Sequence, residues 1–500
     1  MIDGDDNNLH SPTSADLKAK FPILDLEECL SAPIIPSPEV SLMHEYDVIV
    51  LGGGTAGTAA AKTAAQNGAR TVMFNDGELG GLCILRGCMP TKTLLHAAHL
   101  KHEAEHHRTP GIGRQPLAAD FQAVMENKEV KVTRFKRAKI SGIESGGYTV
   151  IDARARFTGK DTVEANGETY RFTKGAVIAV GSKVVEPPIP GLAETPYWTS
   201  DDILSLTELP ESVAVIGSGA IGLELAQFLA RMGTRVELIS RRPVFADYGP
   251  AVAEEMAGSL ADEPNLSSHA PGTPVAIRQE GSGIAVEVEK ESGTETVQAQ
   301  HLLVATGRRA AVDGLGLEQA GIEIERGRVK TGADMRTTNP KVFVAGDATG
   351  DRQLLHVANW EGTTAGIGAA GAEEIPPVEQ RLHMEVVFTD PPLASIGMTE
   401  EAARKAGEQV ITAEARLAQT GRAITMDVAH GVMRLVAKAD GGEILGAQIL
   451  GPRADDIIHT LSTLMYYRGT AKVMLSMPWY HPTISEVLLS LARELEAQTI

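Results

Sequence analysis

The chain predicts an α/β fold containing two Rossmann-like dinucleotide-binding domains, each a parallel sheet between two helical layers. Two glycine fingerprints, each set between an apolar strand and a helix, carry that expectation. The first unit has the strand Tyr46-Asp47-Val48-Ile49-Val50-Leu51, the turn Gly52-Gly53-Gly54-Thr55-Ala56-Gly57 and an alanine-rich helix expected over 58–67. The second has the strand Ser212-Val213-Ala214-Val215-Ile216, the turn Gly217-Ser218-Gly219-Ala220-Ile221-Gly222 and a helix expected over 223–232. In this G-x-G-x-x-G pattern the glycines let the backbone approach a pyrophosphate at a helix N-terminus. Two such units in one chain imply two dinucleotides.

The units differ where an acidic residue ordinarily binds the adenosine ribose, about 20 positions past the turn. Eighteen residues beyond its third glycine the first unit has Asn75, with Asp76 beside it. Either could make the ribose contact. At the same offset the second unit has Ser240, followed by Arg241 and Arg242. An arginine pair without a carboxylate suits a 2′-phosphate, which predicts NADPH over NADH.

Between the fingerprints lies Gly80-Gly81-Leu82-Cys83-Ile84-Leu85-Arg86-Gly87-Cys88-Met89-Pro90-Thr91-Lys92, with two of the chain's 3 cysteines. In a chain with no secretory signal such a pair is redox-active or metal-binding before it is structural. A bridge across so short a ring would stabilise little, and zinc would need partner ligands at similar spacing. A redox-active disulfide is therefore expected.

Composition narrows the rest. A formal net charge of −19 repels phosphate backbones and argues against nucleic-acid binding. No stretch approaches the ~20 apolar residues of a membrane span, and the N-terminus lacks the basic and apolar regions of a signal peptide. A cytoplasmic enzyme is expected. Residues 1–44, rich in acids and prolines, are expected to form a flexible arm.

With two dinucleotide sites and a C-x-x-x-x-C pair between them, the chain resembles the FAD-dependent pyridine nucleotide-disulfide oxidoreductases, which include glutathione reductase, dihydrolipoyl dehydrogenase and mercuric reductase. Further stretches carry the likeness. Val177-Ile178-Ala179-Val180-Gly181-Ser182 resembles the first domain junction, with Val180 in place of threonine, and Ala305-Thr306-Gly307-Arg308 the second. Val342-Phe343-Val344-Ala345-Gly346-Asp347 resembles the second FAD fingerprint, Phe388-Thr389-Asp390-Pro391 opens a segment like the dimerisation domain, and His481-Pro482-Thr483-Ile484-Ser485-Glu486 resembles H-P-T-x-x-E. The resemblance implies an FAD-binding domain over 45–182 and 310–378, an NAD(P)-binding domain over 183–309, and an α+β dimerisation domain over 379–500.

It also implies roles. NADPH passes a hydride to the flavin, and the electrons move to the disulfide. Cys88 is the sulfur nearer the flavin, and Cys83 attacks the substrate disulfide. His481, supplied by the partner subunit of a homodimer and oriented by Glu486, protonates the departing thiol. Lys92 and Glu224 form an ion pair beside the flavin. Gly81, Gly181, Ser182, Asp347 and His356 line the FAD site, and Gly307 closes the nucleotide domain. Overall motif layout places dihydrolipoyl dehydrogenase nearest.

Leu82, Ile84-Leu85-Arg86 and Trp479-Tyr480 depart from familiar members and put glutathione in doubt as substrate. The final residues, 491–500, contain no cysteine, which argues against mercuric ion reduction. His96, His99, His102, His106 and His107 recur at helical spacing and are read as an exposed polar face, with no metal expected. The leading expectation is an NADPH-dependent disulfide reductase acting on a small or protein-bound disulfide. The alternatives are delivery of electrons to a quinone, metal ion or oxygen, and a redox-sensing flavoprotein.

Overall fold

A computed structural model of the protein describes residues 43–500. The first strand begins at Met43, two residues before the expected boundary. The remainder of the expected arm, Cys29 included, lies outside the described residues.

The first sheet has seven strands, five of them parallel in the order Thr149–Asp152, Thr71–Asn75, Met43–Leu51, Glu168–Ile178 and Val342–Val344, with Thr162–Ala165 and Arg156–Phe157 added antiparallel beside Glu168–Ile178. The strand Val342–Val344 returns from far along the chain, so the sheet is completed only after the second nucleotide unit. Val48, Ile49, Val50 and Leu51 are buried on both faces, which suits their unbroken apolar run. Helices Thr55–Gln66 and Leu355–Ala369 cover one face and touch through small residues. A Cβ on Gly362 would lie 2.3 Å from the Ala56 carbonyl oxygen, and one on Gly366 2.5 Å from that of Ala60. The alanine-rich composition of the first helix is the price of that close approach.

Leu266–Ser268, Arg235–Ile239, Ser212–Ile216 and His301–Val304 make the second parallel sheet. A three-stranded antiparallel sheet of Thr273–Glu280, Gly283–Lys290 and Gly293–Ala299 accompanies it. Helix Ala220–Met232 is buried almost throughout and ends on Gly233, whose φ of +114° is the left-handed cap that glycine adopts without cost. The chain enters and leaves this unit through the paired strands Ser182–Val184 and Arg308–Ala310.

A third sheet, antiparallel throughout, follows in the order Met384–Val387, Leu393–Gly397, Ile444–Leu450, Val432–Lys438 and Val410–Arg416. Helices Ala454–Tyr466 and Val487–Gln498 pack against it, with Ile458, Leu461 and Met465 in its core. Both fingerprint helices begin three residues earlier than expected, at Thr55 and Ala220, because the third glycine of each turn lies inside the first helical turn. Among the described residues no helix is long and apolar enough to cross a membrane.

Candidate active site

Steric necessity fixes the glycines of both turns. A Cβ on Gly57 would sit 1.8 Å from the Gly52 carbonyl oxygen, and one on Gly222 2.1 Å from that of Gly217. Gly52 and Gly217 have φ of +105° and +113°, with Ala179 and Ala305 carbonyls pressed against them. By contrast, the Cβ positions of Gly54 and Gly219 are almost open: only the Gly81 Cα lies near Gly54, at 4.0 Å, and nothing lies within 4 Å of Gly219. Open space before helices of 12 and 13 residues, with no acidic side chain in either first turn, fits a dinucleotide pyrophosphate.

Asn75 braces the first turn. Its Oδ1 accepts from the Gly53 amide at 3.0 Å and its Nδ2 donates to the Gly77 carbonyl at 2.7 Å, while Asp76 is exposed. In the second unit Ser240 plays a comparable part, with its hydroxyl 2.6 Å from that of Ser218. Arg241 and Arg242 are exposed beyond it, and Arg242 is held by Asp247 at 2.7 Å. Among the described residues no carboxylate pairs with Arg241.

The cysteines occupy two helices that abut. Cys83 lies in the four-residue helix Leu82–Leu85 and Cys88 opens the 19-residue helix Cys88–His106. Gly87 allows the approach, since a Cβ there would lie 2.9 Å from the Leu82 carbonyl oxygen. Gly81, at φ +79°, brings the segment against the first fingerprint: its Cβ would lie 2.9 Å from the Gly54 Cα. Both cysteines are free thiols, Cys83 half-buried and Cys88 exposed. The Cys83 hydrogen bond, opposed by burial and reinforced by the Lys92 charge, pulls the Cys88 thiol down to about 6. The same hydrogen bond and burial push Cys83 above the ordinary thiol range. A thiolate at a helix N-terminus beside a cation is the usual form of a reactive cysteine.

Lys92, one turn along from Cys88, binds Glu224 at 2.6 Å and lies 4.7 Å from the centre of the Phe388 ring. Glu224 is only 3% exposed, and its other oxygen accepts from the Phe388 amide at 2.9 Å. Gln227 and Arg231 continue along the same helix face. Gln227 accepts from the Asp390 amide at 2.8 Å, and Arg231 reaches Asp390 at 2.8 Å and Glu263 at 2.8 Å. Helix Ala220–Met232 thus grips both the cysteine helix and the turn between the first two strands of the third sheet.

The histidine cluster corrects one expectation. His99 is bonded to Asp390 at 2.9 Å, and half-buried His102 lies 3.5 Å from Glu263. Both therefore reach this charged cluster, His102 mostly buried and His99 with 44% of its side chain still exposed. Burial alone would raise the Asp390 carboxyl, yet the His99 hydrogen bond and the Arg231 charge hold it well below the usual range. His99 is raised by that same bond, whereas burial and Arg231 lower His102 to about 4. His99, Glu103 and Asp390 bring ligand atoms within 4.8 Å of one another, but Arg231 already neutralises the aspartate.

Ser182 donates to Asp347 at 2.6 Å and accepts from Arg308 at 2.9 Å, which brings together both junction segments and the third glycine-rich strand end. Gly181 and Gly307, at φ +73° and +115°, have open space at their Cβ positions. Gly346 packs against Ala56, and its amide donates to buried Glu361 at 2.7 Å. Burial raises that carboxyl to about 7. His356 lies exposed at the start of helix Leu355–Ala369. His481 and Glu486 meet at 2.9 Å, the imidazole 78% exposed. Among the described residues no hydrogen bond or ion pair joins them to the cysteine helices of the same subunit.

Sequence reasoning missed Gln227, Arg231, Glu263 and Asp390 as a connected group, and Glu361. The spacing of Glu224, Gln227 and Arg231 was the one available signal.

Residues 46–362 match the pyridine nucleotide-disulphide oxidoreductase family and residues 384–492 its dimerisation domain. A mercuric reductase of Staphylococcus aureus is 33% identical over 440 residues, covering 87% of this chain and 80% of its own length. A dihydrolipoyl dehydrogenase of Bacillus subtilis (strain 168) is 32% identical over 454 residues, covering 90% and 96%. The two are equally similar, so the sequence no longer favours dihydrolipoyl dehydrogenase as nearest. Among solved structures, the HOCl-induced flavoprotein disulfide reductase RclA from Escherichia coli superposes with a TM-score of 0.77 at 26% identity, covering 90% of this chain and 99% of that one. Members use FAD and a pyridine nucleotide, and the matched dimerisation domain supports a homodimer. With two fingerprints, the paired thiols and both matched domains in one chain, this protein belongs to the pyridine nucleotide-disulphide oxidoreductases.

Proposed function

We propose that the protein is an NADPH-preferring, FAD-dependent disulfide reductase in which Cys83 and Cys88 cycle between disulfide and dithiol. The reading rests on the pairing of Cys88, at a helix start, with Cys83 and Lys92, in a segment whose Gly81 abuts the first glycine turn. FAD, when bound along Gly52, Gly54, Gly57, Gly81, Gly181, Ser182, Asp347 and His356, supplies the relay of two electrons between nicotinamide and sulfur. Asn75 or Asp76 faces its ribose. Gly217, Gly219, Gly222 and Gly307 frame the nicotinamide dinucleotide, and Arg241 and Arg242 receive its 2′-phosphate.

Within the chain the chemistry is thiol exchange. Once reduced, Cys83 attacks one sulfur of the substrate disulfide, forming a mixed disulfide as the other substrate sulfur departs. His481 of the partner subunit, oriented by Glu486, gives that sulfur its proton. Cys88 then attacks Cys83, which restores the internal disulfide and releases the second substrate thiol. Lys92, fixed by buried Glu224, holds a positive charge beside Cys88 whenever that sulfur is a thiolate. The bulk of Ile84 and Leu85 beside Cys83, and of Trp479-Tyr480 beside His481, favours a narrow disulfide over glutathione.

The mercuric reductases among the relatives favour a second reading, reduction of a metal ion. Anaerobic titration with NADPH followed by reoxidation with a panel of disulfides, quinones and metal ions separates the two. Under the first reading Cys83→Ser abolishes disulfide turnover. Turnover of disulfides by that variant would refute it.

A further inference from the structure

Lys139 stands on helix Phe121–Glu144, which packs against the short cysteine helix Leu82–Leu85. Its ammonium is half-buried and donates to the Thr58 hydroxyl at 2.6 Å. That hydroxyl in turn bonds the carbonyls of Gly54 at 2.9 Å and Thr55 at 3.1 Å, so the ammonium lies level with the glycine turn rather than farther along its helix. Burial lowers the lysine, while the neighbouring Cys83 sulfur raises it. One turn earlier on the same helix, Lys136 is already paired with Glu78. Lys139 has no such carboxylate among the described residues. An ammonium carries three donors, and a partly desolvated one with a single neutral acceptor is costly unless an anion is supplied.

We propose that Lys139 is a flavin-retention residue, whose ammonium neutralises the pyrophosphate of the dinucleotide held at the turn Gly52–Gly57. The inference rests on the reading of that turn as the FAD site. The helix Thr55–Gln66 offers its unpaired amides from one side, and Lys139 offers a full charge from the neighbouring helix. The glycine fingerprint alone provides the amides. Lys139 provides the counter-charge that the fingerprint lacks, since no basic residue lies within the turn.

The test is FAD binding to the full-length apoprotein, followed by quenching of flavin fluorescence. Loss of one charge-assisted contact weakens FAD binding by about tenfold to a hundredfold in Lys139→Met, while Lys139→Arg stays within a few-fold of wild type. Reductive methylation adds a readout that needs no variant: Lys139 in the wild-type apoprotein is modified, and restored FAD protects it. Unchanged FAD affinity in Lys139→Met, or equal methylation with and without FAD, overturns the proposal. Equal loss in Lys139→Arg and Lys139→Met overturns it too, since charge would not be what matters. Failure of the wild type to bind FAD would instead remove the underlying assignment of the turn.

Discussion

Replacing Lys92 by methionine tests the electrostatics of the redox pair most directly. Lys92 lies four positions along the helix from Cys88, a rise of ~6 Å, and at an effective dielectric of ~20 a full charge at that distance is worth roughly 3 kcal/mol, or about two pK units. Lys92 is 31% exposed and bound to Glu224, so solvent and the carboxylate reduce its effect to roughly one unit. The Cys88 thiol of the reduced protein, held near about 6, should then ionise near roughly 7 in Lys92→Met. The sign follows from the acid: the thiolate is present above its pKa and lost as pH falls through it, so the variant loses nucleophilic sulfur at higher pH than the wild type. Thiolate ultraviolet absorbance against pH, with alkylation rates in parallel, gives both midpoints. Glu224 acts in the opposite sense, since its charge raises the thiol, so Glu224→Gln should move the midpoint down. An unmoved midpoint in Lys92→Met, or movement of both variants in the same direction, would refute the argument.

Other substitutions probe the remaining parts. Gly57→Ala forces a methyl group against the Gly52 carbonyl, and overpacking of this kind costs about 1–3 kcal/mol; purified variant should carry little flavin, measured by absorbance. Arg241→Ala should raise the KM for NADPH by about tenfold and leave that for NADH unchanged, with a smaller effect for Arg242→Ala because Asp247 already holds that side chain. Arg231→Met leaves Glu263 and Asp390 without their cation, and breaking a buried pair costs about 3–5 kcal/mol, readable as a lower denaturation midpoint in urea.

Local chemistry was legible in the sequence and long-range chemistry was not. Gly52, Gly57, Gly217 and Gly222 announce themselves because a turn that close tolerates no side chain, and the strands before them read as buried because their apolar runs do not alternate. The Cys83–Cys88 pair and the His481–Glu486 contact were visible for the same reason, each lying within one short segment. Asp390, by contrast, is 159 positions from Arg231, and nothing in either local pattern tells of the other. His99 and His102 share a helix with exposed neighbours, so periodicity alone could not reveal that they face a charged cluster. Lys139 carries no local signal in the sequence, because only packing sets it beside Thr58.

The grip of helix Ala220–Met232 on two other parts of the chain limits what can be exchanged between relatives. Transplanting a nucleotide module to alter cofactor preference would carry Glu224, Gln227 and Arg231 away from Lys92, Phe388 and Asp390. A functional chimera must therefore keep that helix with the recipient and graft only the loops beyond it, where Arg241 and Arg242 stand.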